Sequence, residues 1–291
     1  MKKLQVFFFF LAAILIAFVT LTIIFIQKNQ KPGEILTPLS QLQEETPQPV
    51  ASKAASPSAG VKDNQSQAVS QISGKLTAAF LGDSMIDTFV ADPTILKGEL
   101  NKLWPNVEFN ILNYGIGSTK ADSGFRRLTE GYTYQEKYHP PLFSQNPDIV
   151  IVESFSYNHP KELAENRQTL TQIIVTITGN SRSKVLMMAT IAPNKTTLAK
   201  GVEGINWTQE QRAIEAQRII DFLKDSVELA KNLGIPIINA YENSLTQQKD
   251  GDAASISNDN IHPSEAGKRL LAQLTAQKFQ ELHLVEGLLN K

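Results

Sequence analysis

The first long apolar run of the chain, Gln5 to Ile26, contains no charged side chain and only Gln and Thr as polar members. A helix rising about 1.5 Å per residue over that length covers about 30 Å, the thickness of a bilayer's hydrocarbon core. The run exceeds the roughly 7 to 15 apolar residues of a secretory signal core, and no A-x-A-like cleavage site precedes Gln27. The pattern therefore predicts an uncleaved signal anchor over residues 1–27, with a cleaved signal peptide as the alternative. Lys2 and Lys3 face Lys28 and Lys31 across the run, a slight bias towards a cytoplasmic N-terminus. From residue 28 to 75 apolar periodicity disappears, and Pro32, Pro38, Pro47, Pro49 and Pro57 lie among Gln, Ser, Ala and Lys. Such a segment buries too little surface to offset its ordering entropy and reads as a flexible tether.

Residues 76–291 alternate between strand-like and helix-like patterns. A first apolar strand, Ala78 to Leu81, stops at Gly82-Asp83-Ser84. Asp92-Pro93 starts a helix that runs to about Leu103, and Val107 to Leu112 is a second strand. Asp148 to Glu153, Val185 to Ile191 and Ile235 to Ile238 complete five strands, with helices predicted near 161–178, 208–232 and from Glu265 to about Leu282. Short apolar strands separated by helices predict an α/β fold, a three-layer sandwich around a five-stranded parallel sheet covered on both faces, preceded by one transmembrane helix and a linker.

Composition narrows the chemistry. The formal charge of −1 over 291 residues gives no bulk basic field for nucleic acid. Cysteine is absent, which removes disulfides, thiolate nucleophiles and cysteine metal sites together. Only His139, His159, His262 and His283 are available for histidine chemistry, and no H-E-x-x-H or other close histidine pair suggests a metal site. No cofactor is expected.

In a parallel sheet the ligand crevice lies beyond the carboxyl ends of the strands, so the loops holding Ser84, Gly117-Ser118 and Asn158 should converge there. Each also has a plainer reading: Gly-Asp-Ser as a turn, Gly115 and Gly117 as a tight loop, Asn158 as a helix cap. Near the C-terminus, Asp259 and His262 lie three residues apart just before the last helix. That spacing lets the carboxylate accept from the imidazole Nδ1 while Nε2 points outward, the base that a serine hydroxyl needs at neutral pH. A helix-start loop with an exposed histidine is the alternative.

Together these elements resemble, in identity and order, the SGNH (GDSL-type) hydrolase family over about residues 76–285. The resemblance implies that family's flavodoxin-like sandwich, with Ser84 as nucleophile, His262 as general base and Asp259 as the residue orienting it. It also implies an oxyanion hole built from the Ser84 N–H, a backbone N–H of Gly117 or Ser118, and the Asn158 side chain. Two departures stand out. Ser118 occupies the family's glycine position, and the third element reads Glu153-Ser154-Phe155-Ser156-Tyr157-Asn158 instead of Gly-x-Asn-Asp. Ser156 is a lesser substitute for Asn158. His159 and Tyr157 are expected substrate contacts, whereas His139 is read as loop structure and His283 as a helix-end residue.

The expected activity is hydrolysis of short-chain or acetyl esters of an extracytoplasmic carbohydrate or lipid by a single-pass membrane enzyme, with any envelope-assembly partner unidentified. An O-acyltransferase using the same serine, or a catalytically silent binding module, are the alternatives. The insert from Gly117 to Asp148 carries Phe125, Arg126, Arg127, Tyr132, Tyr134, Tyr138 and His139, which suit either sugar stacking and anion binding or a partly packed surface loop.

Overall fold

The structure, a computed structural model, describes residues 72–290. The predicted membrane span at residues 5–26 and the tether up to residue 71 lie outside the described residues. Among the described residues no helix is long and apolar enough to cross a membrane. Residues 73–75, assigned from sequence to the tether, belong instead to the first strand.

In chain order the elements are β1 (Ser73–Gly82), α1 (Ser84–Val90), α2 (Thr94–Leu103), β2 (Asn106–Gly115), α3 (Ala121–Arg126), β3 (Tyr132–Tyr134), β4 (Lys137–His139), β5 (Ile149–Glu153), α4 (Leu163–Asn180), β6 (Lys184–Ala189), α5 (Gln209–Leu233), β7 (Ile237–Asn239), α6 (Ala240–Asn243), α7 (Glu265–Glu281) and α8 (Leu284–Leu289). The main sheet is five-stranded, ordered β2-β1-β5-β6-β7, and every pairing is parallel. Strand order reverses at β1: the chain steps outward to β2, then crosses back to β5 on β1's other side. A switch point of this kind opens a crevice at the carboxyl ends of the two strands.

Alternation along the strands builds both faces of the sandwich. Leu76, Ala78, Phe80, Ile149, Ile151, Leu186 and Met188 enter one core with Leu96 and Leu100 of α2 and Leu271 and Phe279 of α7. The residues between them, Ala79, Leu81, Val150, Val152, Val185 and Met187, enter the other core with Leu170, Ile173 and Ile177 of α4 and Leu229 of α5. Every residue of β5 is buried, as its unbroken Ile-Val-Ile-Val-Glu run predicts.

The helices start and stop on local signals. Thr208 and Gln211 form a reciprocal capping box on α5, and Gly234 ends that helix in the left-handed region. Asp92 Oδ1 accepts from the Thr94 amide at 3.0 Å, although the residue immediately preceding α2 is Pro93. The insert between β2 and β5 is ordered: α3, a β3–β4 hairpin and a short 3-10 turn at Leu142–Gln145. His139 stacks on Tyr132 within it at 4.8 Å between ring centres, and His283 precedes α8.

Candidate active site

Ser84 is held by the turn that joins β1 to α1. Gly82 ends the strand where a side chain has no room, since a Cβ there would lie 2.8 Å from Glu153 Cβ. Asp83, fully buried, caps α1 by accepting from the Met85 amide at 2.8 Å. The next residue is Ser84, whose hydroxyl and N–H make no hydrogen bond among the described residues and which lines a cleft of about 500 Å³. The same cleft is lined by His262, Asn158, Gly117, Ser118 and Tyr157, so the loops after β1, β2 and β5 and the turn before α7 do converge.

The base is built within one turn. His262 Nδ1 lies 2.7 Å from Asp259 Oδ2, while Asp259 Oδ1 accepts from the Ile261 and His262 amides at 2.9 and 3.0 Å and from the Ser257 hydroxyl. Partial burial pushes the Asp259 carboxyl up, but the hydrogen bonds from Ser257, His262 and the two amides outweigh it and hold it at about 2. An ionised carboxylate can only accept, so the neutral imidazole carries its proton on Nδ1 and leaves Nε2 as the acceptor. The turn is fixed further by Ser264, whose hydroxyl caps α7 through the Gly267 amide at 3.1 Å and donates to Ala254 O.

Asn158 Nδ2 donates to Asp83 Oδ2 at 2.9 Å. One buried carboxylate thus spans the switch point, capping the helix that carries Ser84 with one oxygen and orienting the Asn158 amide with the other. Burial raises the Asp83 carboxyl, with the Asn158 and Met85 hydrogen bonds acting against it. Beneath it lies Glu153, also fully buried, which accepts from the Ser154 hydroxyl at 2.6 Å and the Phe155 amide at 2.8 Å. Burial, and then the neighbouring Asp83 charge, push the Glu153 carboxyl well above its ordinary value, favouring its protonated form.

On the β2 side, Gly117 donates its N–H to Tyr134 Oη at 3.2 Å, and Tyr134 in turn donates to Asp87 Oδ2 at 2.8 Å. The Ser118 N–H has no acceptor among the described residues, and Ser118 sits at φ 58°, a conformation that costs a non-glycine residue energy. Gly115 is needed here because a Cβ would lie 2.7 Å from Asp87 Cα.

Three sequence expectations change. His159 does not line the cleft: its ring stacks on Phe222 at 4.3 Å, Nε2 meets Glu215 at 3.1 Å, and its side chain is 7% exposed. Ser156 is buried with its hydroxyl unpartnered and also lies away from the cleft. Arg127 is no surface anion ligand. It is buried, donates to Gly82 O at 3.0 Å and to Tyr114 O, and so ties the carboxyl ends of β1 and β2 together. Burial lowers its guanidinium to about 10, which leaves it charged at neutral pH. Tyr157 does line the cleft, with its hydroxyl donating to Ile191 O at 3.3 Å.

Sequence reading missed Asp83, Glu153 and Asp87 as parts of the site, and offered Arg127 and Tyr134 only as ligand-stacking, anion-binding or surface-loop residues, not as the braces they are. Asp83 and Glu153 carried a signal, being acids at the ends of apolar strands where burial is unavoidable. The others depend on how the insert folds. Among the described residues no group of three or more metal-ligating side chains comes together.

No protein-family model matches the sequence, and no curated protein is significantly similar to it. Solved structures do match. A lipase/acylhydrolase from Enterococcus faecalis superposes with a TM-score of 0.53 at 17% identity, covering 71% of this chain and 96% of its own. A catalytic mutant of an acetylxylan esterase from Geobacillus stearothermophilus gives 0.51 at 15% identity over 72% and 95%. A GDSL-like lipase from Bacteroides thetaiotaomicron gives 0.50 at 14% identity over 71% and 88%. At these identities the likeness is one of fold: the described domain has the α/β fold of GDSL-type lipases and acylhydrolases.

Proposed function

We propose that the protein is a serine ester hydrolase of the SGNH type that works through an acyl-enzyme at Ser84. The observation that carries this reading is the Asp259–His262 pair at 2.7 Å, with His262 and Ser84 lining one cleft. His262 Nε2 takes the Ser84 proton as Oγ bonds to the ester carbonyl carbon, and the oxyanion forms opposite. Collapse of that intermediate breaks the carbon–oxygen bond to the alcohol, which leaves with the proton from His262. Water then repeats the sequence, giving its proton to His262, releasing the carboxylic acid and restoring Ser84. The Ser84 and Ser118 N–H groups and the Asn158 amide are the oxyanion donors of this reading. Donors fixed in place before reaction need no reorganisation as charge develops.

The substrate is an acyl ester of a carbohydrate or lipid outside the cytoplasm. Support for that address comes from the uncharged run at residues 5–26 and the proline-rich tether after it. A fluorophosphonate probe tests the chemistry: the full-length protein becomes covalently labelled, and Ser84→Ala is not. An unlabelled wild type overturns the reading.

A further inference from the structure

The cleft at Ser84 is not uniform. Leu198, Val202, Ile205, Trp207, Ile219 and Ile261, which pack in one hydrophobic cluster, form an apolar wall, and Asp87, Thr88, Ser118 and Tyr134 contribute polar groups to the lining. The apolar wall is held in place: Arg212 donates to Leu198 O at 3.1 Å and Trp207 O at 2.8 Å, and the Ala199 amide donates to Asn260 O at 3.1 Å, in the same turn as His262. On the polar side the cleft adjoins a second cavity of about 470 Å³ beneath the β3–β4 hairpin. Asp87 and Tyr134 line both.

This second cavity mixes apolar groups, such as Val90, Ile111 and Leu112, with a particular set of polar ones. Its lining includes the Asp87 carboxylate, the amides of Gln135 and Gln145, Lys137 and the rings of Tyr134 and Tyr138. The Gln135 and Lys137 side chains make no hydrogen bond among the described residues, and both are exposed. Tyr138 is 64% exposed, the most exposed of the large apolar side chains among the described residues. Amides and a carboxylate exchange hydrogen bonds with hydroxyl groups, and an open tyrosine face covers the C–H face of a sugar ring. Lys137 is the cationic side chain of this lining, burial and then Lys137 itself lowering the His139 imidazole, and Asp87 opposes it, which disfavours an anionic ligand. The hairpin is braced, with Tyr114 donating to Pro140 O at 2.8 Å and Tyr134 to Asp87.

From this placement we infer that the cavity beneath the hairpin binds the saccharide half of the ester, with the acyl group turned towards the apolar wall. The inference rests on the hydrolase reading and decides within it for a carbohydrate ester over a lipid one. Tyr138 and Gln135 are then specificity residues for the alcohol half, and Tyr134 marks where that half meets the nucleophile's cleft.

Hydrolysis by the full-length protein is compared on p-nitrophenyl acetate and on acetylated cello-, xylo- and chito-oligosaccharides, in wild type, Tyr138→Ala and Gln135→Ala. At least one oligosaccharide series is deacetylated with a lower KM as the chain lengthens. Tyr138→Ala lowers the ratio of kcat/KM on that oligosaccharide to kcat/KM on the aryl ester about five- to tenfold, as expected for loss of one ring contact. Both positions are exposed, so folding is preserved, and Gln135→Ala moves the ratio the same way by a smaller factor. Aryl ester turnover without saccharide preference, or a ratio unmoved by both variants, overturns the inference alone. Absence of turnover on every ester, with no fluorophosphonate label, overturns the hydrolase reading beneath it.

Discussion

The Gly117 amide donates to Tyr134 Oη at 3.2 Å, so one of the two backbone donors expected after β2 is already engaged by a side chain from the β3–β4 hairpin. The neighbouring Ser118 N–H is not, among the described residues. If Ser84, Ser118 and Asn158 supply the oxyanion donors, Tyr134→Phe removes the tie to Asp87 and the acceptor of the Gly117 amide but no oxyanion donor. Its kcat/KM on p-nitrophenyl acetate falls by about three- to tenfold, the scale of one net hydrogen bond. A loss of about 10²-fold or more assigns the Tyr134–Gly117 pair to the oxyanion machinery.

Asn158 is the one side-chain donor of the proposed hole, and Asp83 Oδ2 orients it at 2.9 Å. Truncation to alanine removes an interaction that strengthens as the oxyanion forms, so kcat falls by about 10² to 10³ while KM changes little. Steady-state kinetics on an aryl acetate checks this. A raised KM with unchanged kcat places Asn158 in ground-state binding instead.

Asp259 accepts four hydrogen bonds, and only one of them comes from the imidazole. Asp259→Asn keeps an acceptor for the turn's amides but presents an NH₂ group to His262 Nδ1, which favours the wrong tautomer. Turnover drops by about 10³ to 10⁴ with the turn intact. Because burial and the opposing hydrogen bonds leave the Asp259 carboxyl at about 2, the stability it lends is present above its ordinary value of 3.8 and is lost as pH falls through about 2. The variant therefore loses that contribution at neutral pH, which thermal unfolding at neutral and strongly acidic pH measures.

Much of this architecture is legible in residue patterns. Unbroken apolar strands and capped helices specify the sandwich, because burial on both faces leaves few alternatives for Ile149 to Val152 or for the stripe on α5. Ser84, Asp259 and His262 are legible for a different reason: each sits in a short turn whose local spacing carries its chemistry. His159 misled because sequence adjacency to Asn158 says nothing of direction, and its ring turns away from the cleft to pack on Phe222. Arg127 misled because a charged residue in a long insert looks solvent-facing until the strand-end carbonyls it satisfies are seen. The Tyr134–Asp87 contact joins residues 47 positions apart through a three-residue strand, and no periodicity announces such a strand.

Glu153 offers a test that does not depend on activity. Its carboxyl is pushed well above 4.5 by burial and then by the Asp83 charge, whereas in the unfolded chain it ionises near that ordinary value. Folding therefore favours the protonated carboxyl. A group with a raised folded value lends stability that is fully present below the unfolded value and is lost as pH rises through the folded one. Glu153→Gln imitates the protonated carboxyl, keeps an acceptor for the Phe155 amide and offers its NH₂ to the Ser154 hydroxyl. Unlike glutamate, it cannot acquire a charge that opposes Asp83 as pH rises. As pH rises above that ordinary value the Tm of the wild type therefore declines more steeply than that of the variant, and the gap shifts in the variant's favour. Parallel Tm curves across that range refute a raised Glu153 carboxyl.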